Sequence, residues 1–249
     1  YYTFEGLMDL KSVHRIFTDR ILRIPSYQRG YSWTNDKEIK EKKDLVKIKG
    51  QLMDLWNDIQ NIPDDKWHYT GLLTLAEHTA PDYKEWLPRK AQYSIVDGQQ
   101  RITSILILMT VLVKYSKQFE YEFGDRDGDT EFHYLYISKG TRKAYIFGYD
   151  QDNPSDKYFR KHILNLDEIE GDSKESIYTE NLLKARKFFE KVVGFYLEDA
   201  SNKIEALQFL FDKVTTGLRL NEYILPNELD EYVVFETMNN RGKPLSQLE

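Results

Sequence analysis

The chain has 249 residues, 41% hydrophobic and 14% aromatic, enough for a sizeable core in one large domain or a core with a subdomain; despite 31% charged residues this excludes general disorder. It has no cysteine, which excludes a disulfide framework, thiolate catalysis and cysteine-ligated zinc. A net charge of −6 argues against general affinity for nucleic acid, and the longest apolar run, residues 105–113, is too short to cross a bilayer, so a cytoplasmic protein is expected.

In chain order, residues 8–17 carry Leu10, Val13, Ile16 and Phe17 at helical spacing, and residues 21–24 read as a short strand. The strand runs into Ile24-Pro25-Ser26-Tyr27-Gln28-Arg29-Gly30-Tyr31-Ser32-Trp33, where proline ends it. Rings interleaved with a guanidinium and an amide suit base stacking with phosphate contact, or equally an aromatic anchor that packs a loop. Lys37, Lys40, Lys42, Lys43, Lys47 and Lys49, set among Glu38, Glu41 and Asp44, read as a solvated helix face rather than a nucleic-acid contact. Leu52, Leu55, Trp56 and Ile59 predict an amphipathic helix ending near Pro63. Residues 67–76 predict a strand in which Gly71 marks close approach of a backbone or ligand, and residues 77–90 predict the loop of a hairpin.

The stretch that follows organises the rest. Tyr93-Ser94-Ile95-Val96 leads into Asp97-Gly98, and Ile102, Ile105, Leu106, Met109, Leu112 and Val113 then recur at helical spacing: strand, tight turn, helix. Gly98 lets the backbone turn sharply, and Gln99, Gln100 and Arg101 occupy the first helical turn. Arginine there opposes the helix dipole unless an anion, most simply a phosphate, sits in front of the helix. The alternative is a helix that merely starts with a polar turn.

Beyond it, Asp125, Asp127, Asp129 and Glu131 are spaced as in a calcium loop, but glycine stands at Gly128 and the twelfth position is Tyr136, so the stretch reads as an acidic turn. Residues 132–137 and 143–147 predict a short hairpin; 158–166, 181–196 and 203–213 predict helices; 214–225 a strand; and 229–239 a last helix before a loop rich in amide and basic groups. His14, His68, His78, His133 and His162 lack metal-ligand spacing, and no phosphate-loop, dinucleotide, nucleophile-elbow or zincin motif occurs.

Three separated segments carry a family resemblance. The loop from Ile24 to Trp33, Val96-Asp97-Gly98-Gln99-Gln100-Arg101-Ile102-Thr103, and Phe235-Glu236-Thr237-Met238-Asn239-Asn240-Arg241-Gly242-Lys243-Pro244-Leu245-Ser246 together resemble the N-terminal domain of GmrSD-type restriction proteins, known as domain of unknown function 262. His68-Tyr69-Thr70-Gly71 resembles its aromatic-x-glycine strand, whereas Ile102-Thr103-Ser104 stands where the family commonly has Leu-Thr-Thr.

The resemblance implies an α+β fold with a small ParB/sulfiredoxin-like mixed-sheet core and a largely helical extension. The core would be residues 1–115, a mainly helical extension 116–213, and a strand and helix returning to the core 214–249. It also implies an NTPase site. Asp97 would hold a divalent metal, Mg²⁺, or orient water; Gln99 and Gln100 would position phosphate or water; Arg101 would neutralise charge on the transferred phosphoryl group. Tyr27, Gln28, Arg29, Gly98, Thr103, Asn239 and Gly242 would line or support the nucleotide pocket. The implied function is an NTP-hydrolysing sensor or regulatory domain of a modification-dependent restriction system acting against phage. The alternative is a module that recognises modified DNA and hydrolyses nothing; an interaction scaffold is disfavoured by the polar turns. Implied partners are a nucleoside triphosphate, modified DNA, a C-terminal nuclease domain and, as an option, a second copy of the chain. Starting at Tyr1 and stopping at Glu249, just after the third motif, the chain reads as a fragment from which nuclease activity is not expected.

Overall fold

Leucine- and β-branched-rich runs at 20–24, 68–77, 91–97 and 218–224 supply the strands of a mixed sheet. The structure, a computed structural model, describes residues 9–18, 20–78, 83, 85, 87–88, 90–123, 134–165 and 176–240. The six-stranded sheet has the order β1-β8-β3-β4-β2-β7, comprising β1 (Asp9–Ser12), β2 (Arg20–Ile24), β3 (His68–Glu77), β4 (Ala91–Asp97), β7 (Phe147–Tyr149) and β8 (Leu218–Ile224). β3 runs antiparallel to β4 and parallel to β8, while β2 is parallel to both β4 and β7. β2 is buried along its whole length, as expected for a strand flanked by parallel partners. A separate two-stranded hairpin joins β5 (Tyr136–Lys139) to β6 (Arg142–Tyr145).

The helices are α1 (Val13–Thr18), α2 (Gln51–Gln60), α3 (Gln99–Gln118), α4 (Asp156–Tyr158), α5 (Ile177–Glu198), α6 (Lys203–Asp212) and α7 (Glu231–Asn240). π-helical turns continue α4 over Phe159–Ile163 and α6 over Lys213–Gly217. Helix α3 is the hub. Ile102, Ile105, Leu106, Ile107, Leu108, Met109, Val111 and Leu112 are all buried, which requires covering on every side, and α5 and α6 pack against it. Each such side chain contributes about 1.5–3 kcal/mol when fully buried. This anchors the N-terminal turn of α3, where the polar residues lie. Among the described residues no helix is long and apolar enough to cross a membrane.

Four elements differ from expectation. The helix expected over 8–17 begins only at Val13, because Asp9–Ser12 pairs antiparallel with β8. There Lys11 binds Glu222 at 2.6 Å, and buried Arg20 pairs with the same carboxylate. The lysine-rich stretch forms only a 3-10 turn, Lys42–Lys47. The Asp44 carboxylate accepts from the Lys40 and Glu41 N–H groups at 3.0 and 2.8 Å, part of a capping box that starts this turn, but no continuous apolar face extends it into a helix: Ile39 and Ile48 are buried and Val46 is 92% exposed. The strand expected from Val214 starts at Leu218, since the π turn extends α6 and Thr215 and Thr216 bond back to the Phe211 and Asp212 carbonyls. Finally, β7 is three residues long, too short for a periodicity to show. The acidic turn at 125–131 lies outside the described residues.

Candidate functional site

β4 ends at Asp97, and Gly98 turns the chain with φ +94° into the first turn of α3. A Cβ at Gly98 would stand 2.9 Å from the Leu72 carbonyl oxygen of β3, so both the left-handed backbone and the close approach require glycine. The first turn of α3 holds no acidic residue, and among the described residues no side chain caps it. The first helical bond in this turn is that of Ile102 N–H to the Gly98 carbonyl, at 3.2 Å, and the N–H groups of the preceding residues have no helical acceptor. In front of this turn lies a cleft of about 190 Å³ whose walls include Gln28, Arg29, Trp33, Asp97, Arg101 and Phe235. Helix dipole, free N–H donors and two guanidinium groups thus meet at one opening.

The loop from Pro25 to Trp33 is stitched to α3 by the two glutamines. Gln99 Nε2 donates to the Arg29 carbonyl at 3.2 Å; Gln100 Nε2 donates to the Gly30 carbonyl at 3.2 Å while its Oε1 accepts from Ser32 N–H at 2.8 Å. Deeper in, Tyr31 and Ser104 hydroxyls bond at 2.6 Å, and the Thr103 hydroxyl donates to the Gln99 carbonyl at 2.7 Å. Gln28 is 4% exposed; its Nε2 donates to the Ile95 and Val96 carbonyls, and its Oε1 has no partner among the described residues. A buried amide oxygen without a donor costs about 1–3 kcal/mol. Tyr27 packs edge-on to Tyr232 at 5.6 Å and against Phe235 at 5.3 Å on α7. Burial, then Glu231, Asp150 and Asp230, push its phenol above the ordinary value.

Arg101 extends from α3 across β3. Its guanidinium lies 2.6 Å from where a Cβ on Gly71 would be, and 5.9 Å from the centre of the Trp33 ring. Burial lowers its pKa, opposed by Asp97, Tyr69 and Asp58. On its far side is a second chamber of about 240 Å³ that shares Trp33 and Arg101 with the first and is also walled by Asp54, Asp58, His68 and Tyr69.

Of the residues expected from sequence, Gln28, Arg29, Asp97, Gly98, Gln99, Gln100 and Arg101 line the first cleft. Tyr27 stands beside it on Phe235, and Thr103 lies underneath. The Asn239 side chain and Gly242 fall outside the described residues; the third motif reaches the cleft through Phe235. Sequence reasoning did not place Asp54, Asp58, His68 and Tyr69 at the site; the signals were the polar side of an amphipathic helix for the first two and the aromatic-x-glycine strand for the others. His14 bonds the Tyr134 hydroxyl at 2.7 Å and His78 contacts the Ser94 hydroxyl at 3.0 Å; His133 is outside the described residues. Among the described residues no group of three or more His, Cys, Asp or Glu side chains suits a metal ion. Asp97 is the carboxylate lining the cleft, a donor set that fits Mg²⁺ only if phosphate oxygens and water complete the shell.

No curated protein matches the chain. Residues 13–249 match the GmrSD restriction endonuclease, N-terminal domain. The strand–turn–helix, the stitched aromatic loop and the returning helix α7 therefore belong to a chain of the GmrSD restriction endonuclease N-terminal domain family, a component of restriction systems that defend against phage.

Proposed function

We propose that this domain binds and hydrolyses a nucleoside triphosphate at the N-terminus of α3. In this reading it is the sensor or regulatory part of a modification-dependent restriction protein, with DNA cutting left to a C-terminal nuclease domain. The proposal also reads the β4–Gly98–α3 unit as part of a ParB/sulfiredoxin-like nucleotide core. The observation that carries it is the first turn of α3, uncapped among the described residues and facing a cleft with Arg29 and Arg101. Phosphate oxygens would accept from the N–H groups of that turn.

In hydrolysis, water attacks the γ-phosphorus, the bond to the β–γ bridging oxygen breaks, and a diphosphate and inorganic phosphate leave. Arg101 would neutralise the charge that develops on the transferring group. Asp97 would hold a Mg²⁺ carried in on the phosphates, where the ion supplies further charge neutralisation. Gln99 and Gln100, tied to the loop, fix Arg29 and the first helical turn relative to each other.

The test is phosphate release from each of the four common NTPs with Mg²⁺, comparing the chain with its Arg101→Ala variant and checking both by circular dichroism. We expect release that falls about 10²- to 10³-fold in a folded variant. Unchanged release in a folded variant removes Arg101 from the mechanism. A second reading, recognition of modified DNA without turnover, is favoured by the aromatic cluster of Tyr27, Tyr232 and Phe235 beside the cleft. No release and no nucleotide binding by calorimetry would turn the reading to it, or to a site completed by a C-terminal half.

A further inference from the structure

Resting on the nucleotide reading, we infer that the chamber beyond Arg101 takes the nucleoside part, base and ribose, of the nucleotide whose phosphates lie at α3. The two spaces share Trp33 and Arg101 as walls. Their volumes are about 240 and 190 Å³, and they adjoin at these two side chains.

Their chemistry differs in a way that orients a nucleotide. The first space offers free helical N–H groups, Arg29 and Arg101 against one carboxylate, Asp97. The second sets Asp54 and Asp58 against Arg101 and His68, with His68 Nε2 standing 3.6 Å from Asp58 Oδ2. Carboxylates repel phosphates but accept hydrogen bonds from ribose hydroxyls and from the N–H groups of bases. Trp33 and Tyr69 add aromatic faces of the kind on which bases stack, and Tyr69 is 48% exposed, open to a ligand. A triphosphate is thus accepted on one side of the Arg101 guanidinium and refused on the other, where a neutral, donor-bearing, stackable group fits.

The test is calorimetric titration of the 249-residue chain with Mg²⁺ and, separately, the preferred NTP or inorganic tripolyphosphate, repeated with Tyr69→Ala and Asp58→Asn. The expected result is an NTP bound at least about tenfold tighter than tripolyphosphate, an advantage largely lost in either variant, with tripolyphosphate affinity unchanged or slightly raised. Equal affinities of the unmodified chain for the two ligands, or variants that keep the full NTP preference, would overturn the inference while leaving the phosphate site standing. Binding of neither ligand would remove the nucleotide reading and this inference with it. Asp58→Asn, a near-isosteric change on a half-buried helix face, keeps the test open where Tyr69→Ala fails to fold.

Discussion

Gly71→Ala tests whether β3 positions Arg101. Gly71 has φ +130° at a β-bulge, where the register of β3 against β8 shifts between Tyr69 and Gly71. Any L-residue is strained there by about 1–3 kcal/mol. For a chain of this size about 2 kcal/mol lowers Tm by roughly 4–8 °C. The new methyl would also lie 2.6 Å from Arg101 Nη1 and 2.8 Å from Cζ, so the guanidinium must retreat about 0.8 Å to reach an ordinary contact of 3.4 Å. Displacement of a charge-stabilising group by nearly an ångström costs on the order of 10²-fold in rate. Thermal melting by circular dichroism and phosphate release at saturating NTP read the two effects separately. A lowered Tm with turnover intact would refute the idea that Gly71 places Arg101, and an unchanged Tm would refute the strain.

Glu222→Ala leaves Arg20 buried without its anion and should cost about 3–5 kcal/mol in urea unfolding, well above the effect of a surface charge. Gln100→Ala removes two hydrogen bonds at once, both from the amide to the Gly30–Ser32 backbone, and should lower turnover more than stability, read as a fall in kcat with Tm reduced by only a few degrees. Burial raises the Glu231 pKa, assisted by Asp150 and Asp230 and opposed by His78. A carboxyl with a raised folded-state pKa contributes stability that is complete below its unfolded pKa and lost as pH rises through the folded one. Glu231→Gln should therefore melt above the unmodified chain at neutral pH, with the difference vanishing below the ordinary carboxylate range near pH 4; a gap constant over that window would contradict the burial argument.

Much of the site was readable because its parts are local. Gly98 before Gln99, Gln100 and Arg101, with apolar residues at helical spacing behind them, dictates turn and helix without reference to the rest of the chain. α2, β2, β3 and α5 were visible for the same reason. The edge strand β1 was not, because the spacing of Leu10, Val13 and Ile16 satisfies a helix, and only pairing with β8, more than 200 residues away, makes Asp9–Ser12 extended. The lysine-rich stretch reads as a solvated helix face, yet with Val46 exposed it has no apolar side to hold a helix beyond the single turn that Asp44 caps. The second chamber could not be read at all. Asp54 and Asp58 on α2 meet His68 and Tyr69 of β3 and Trp33 of the loop only once the fold is formed.

Arg101 ties these levels together. Viewed locally it is a misfit, a cation in a helix turn whose dipole prefers an anion, in a turn with no acidic residue to offset it. Viewed in the fold it is half desolvated between Trp33 and Gly71, held there against a burial cost that Asp97 and Asp58 only oppose. A side chain disfavoured both by the dipole and by burial is costly in the free protein. An anion bound at the N-terminus of α3 would relieve the dipole conflict and supply the counter-charge that burial withholds. Such an arrangement makes ligand binding and domain stability one linked quantity. Arg101→Ala should therefore melt at the same temperature as the unmodified chain, or higher, without nucleotide, and lose the rise in Tm that nucleotide gives the unmodified chain.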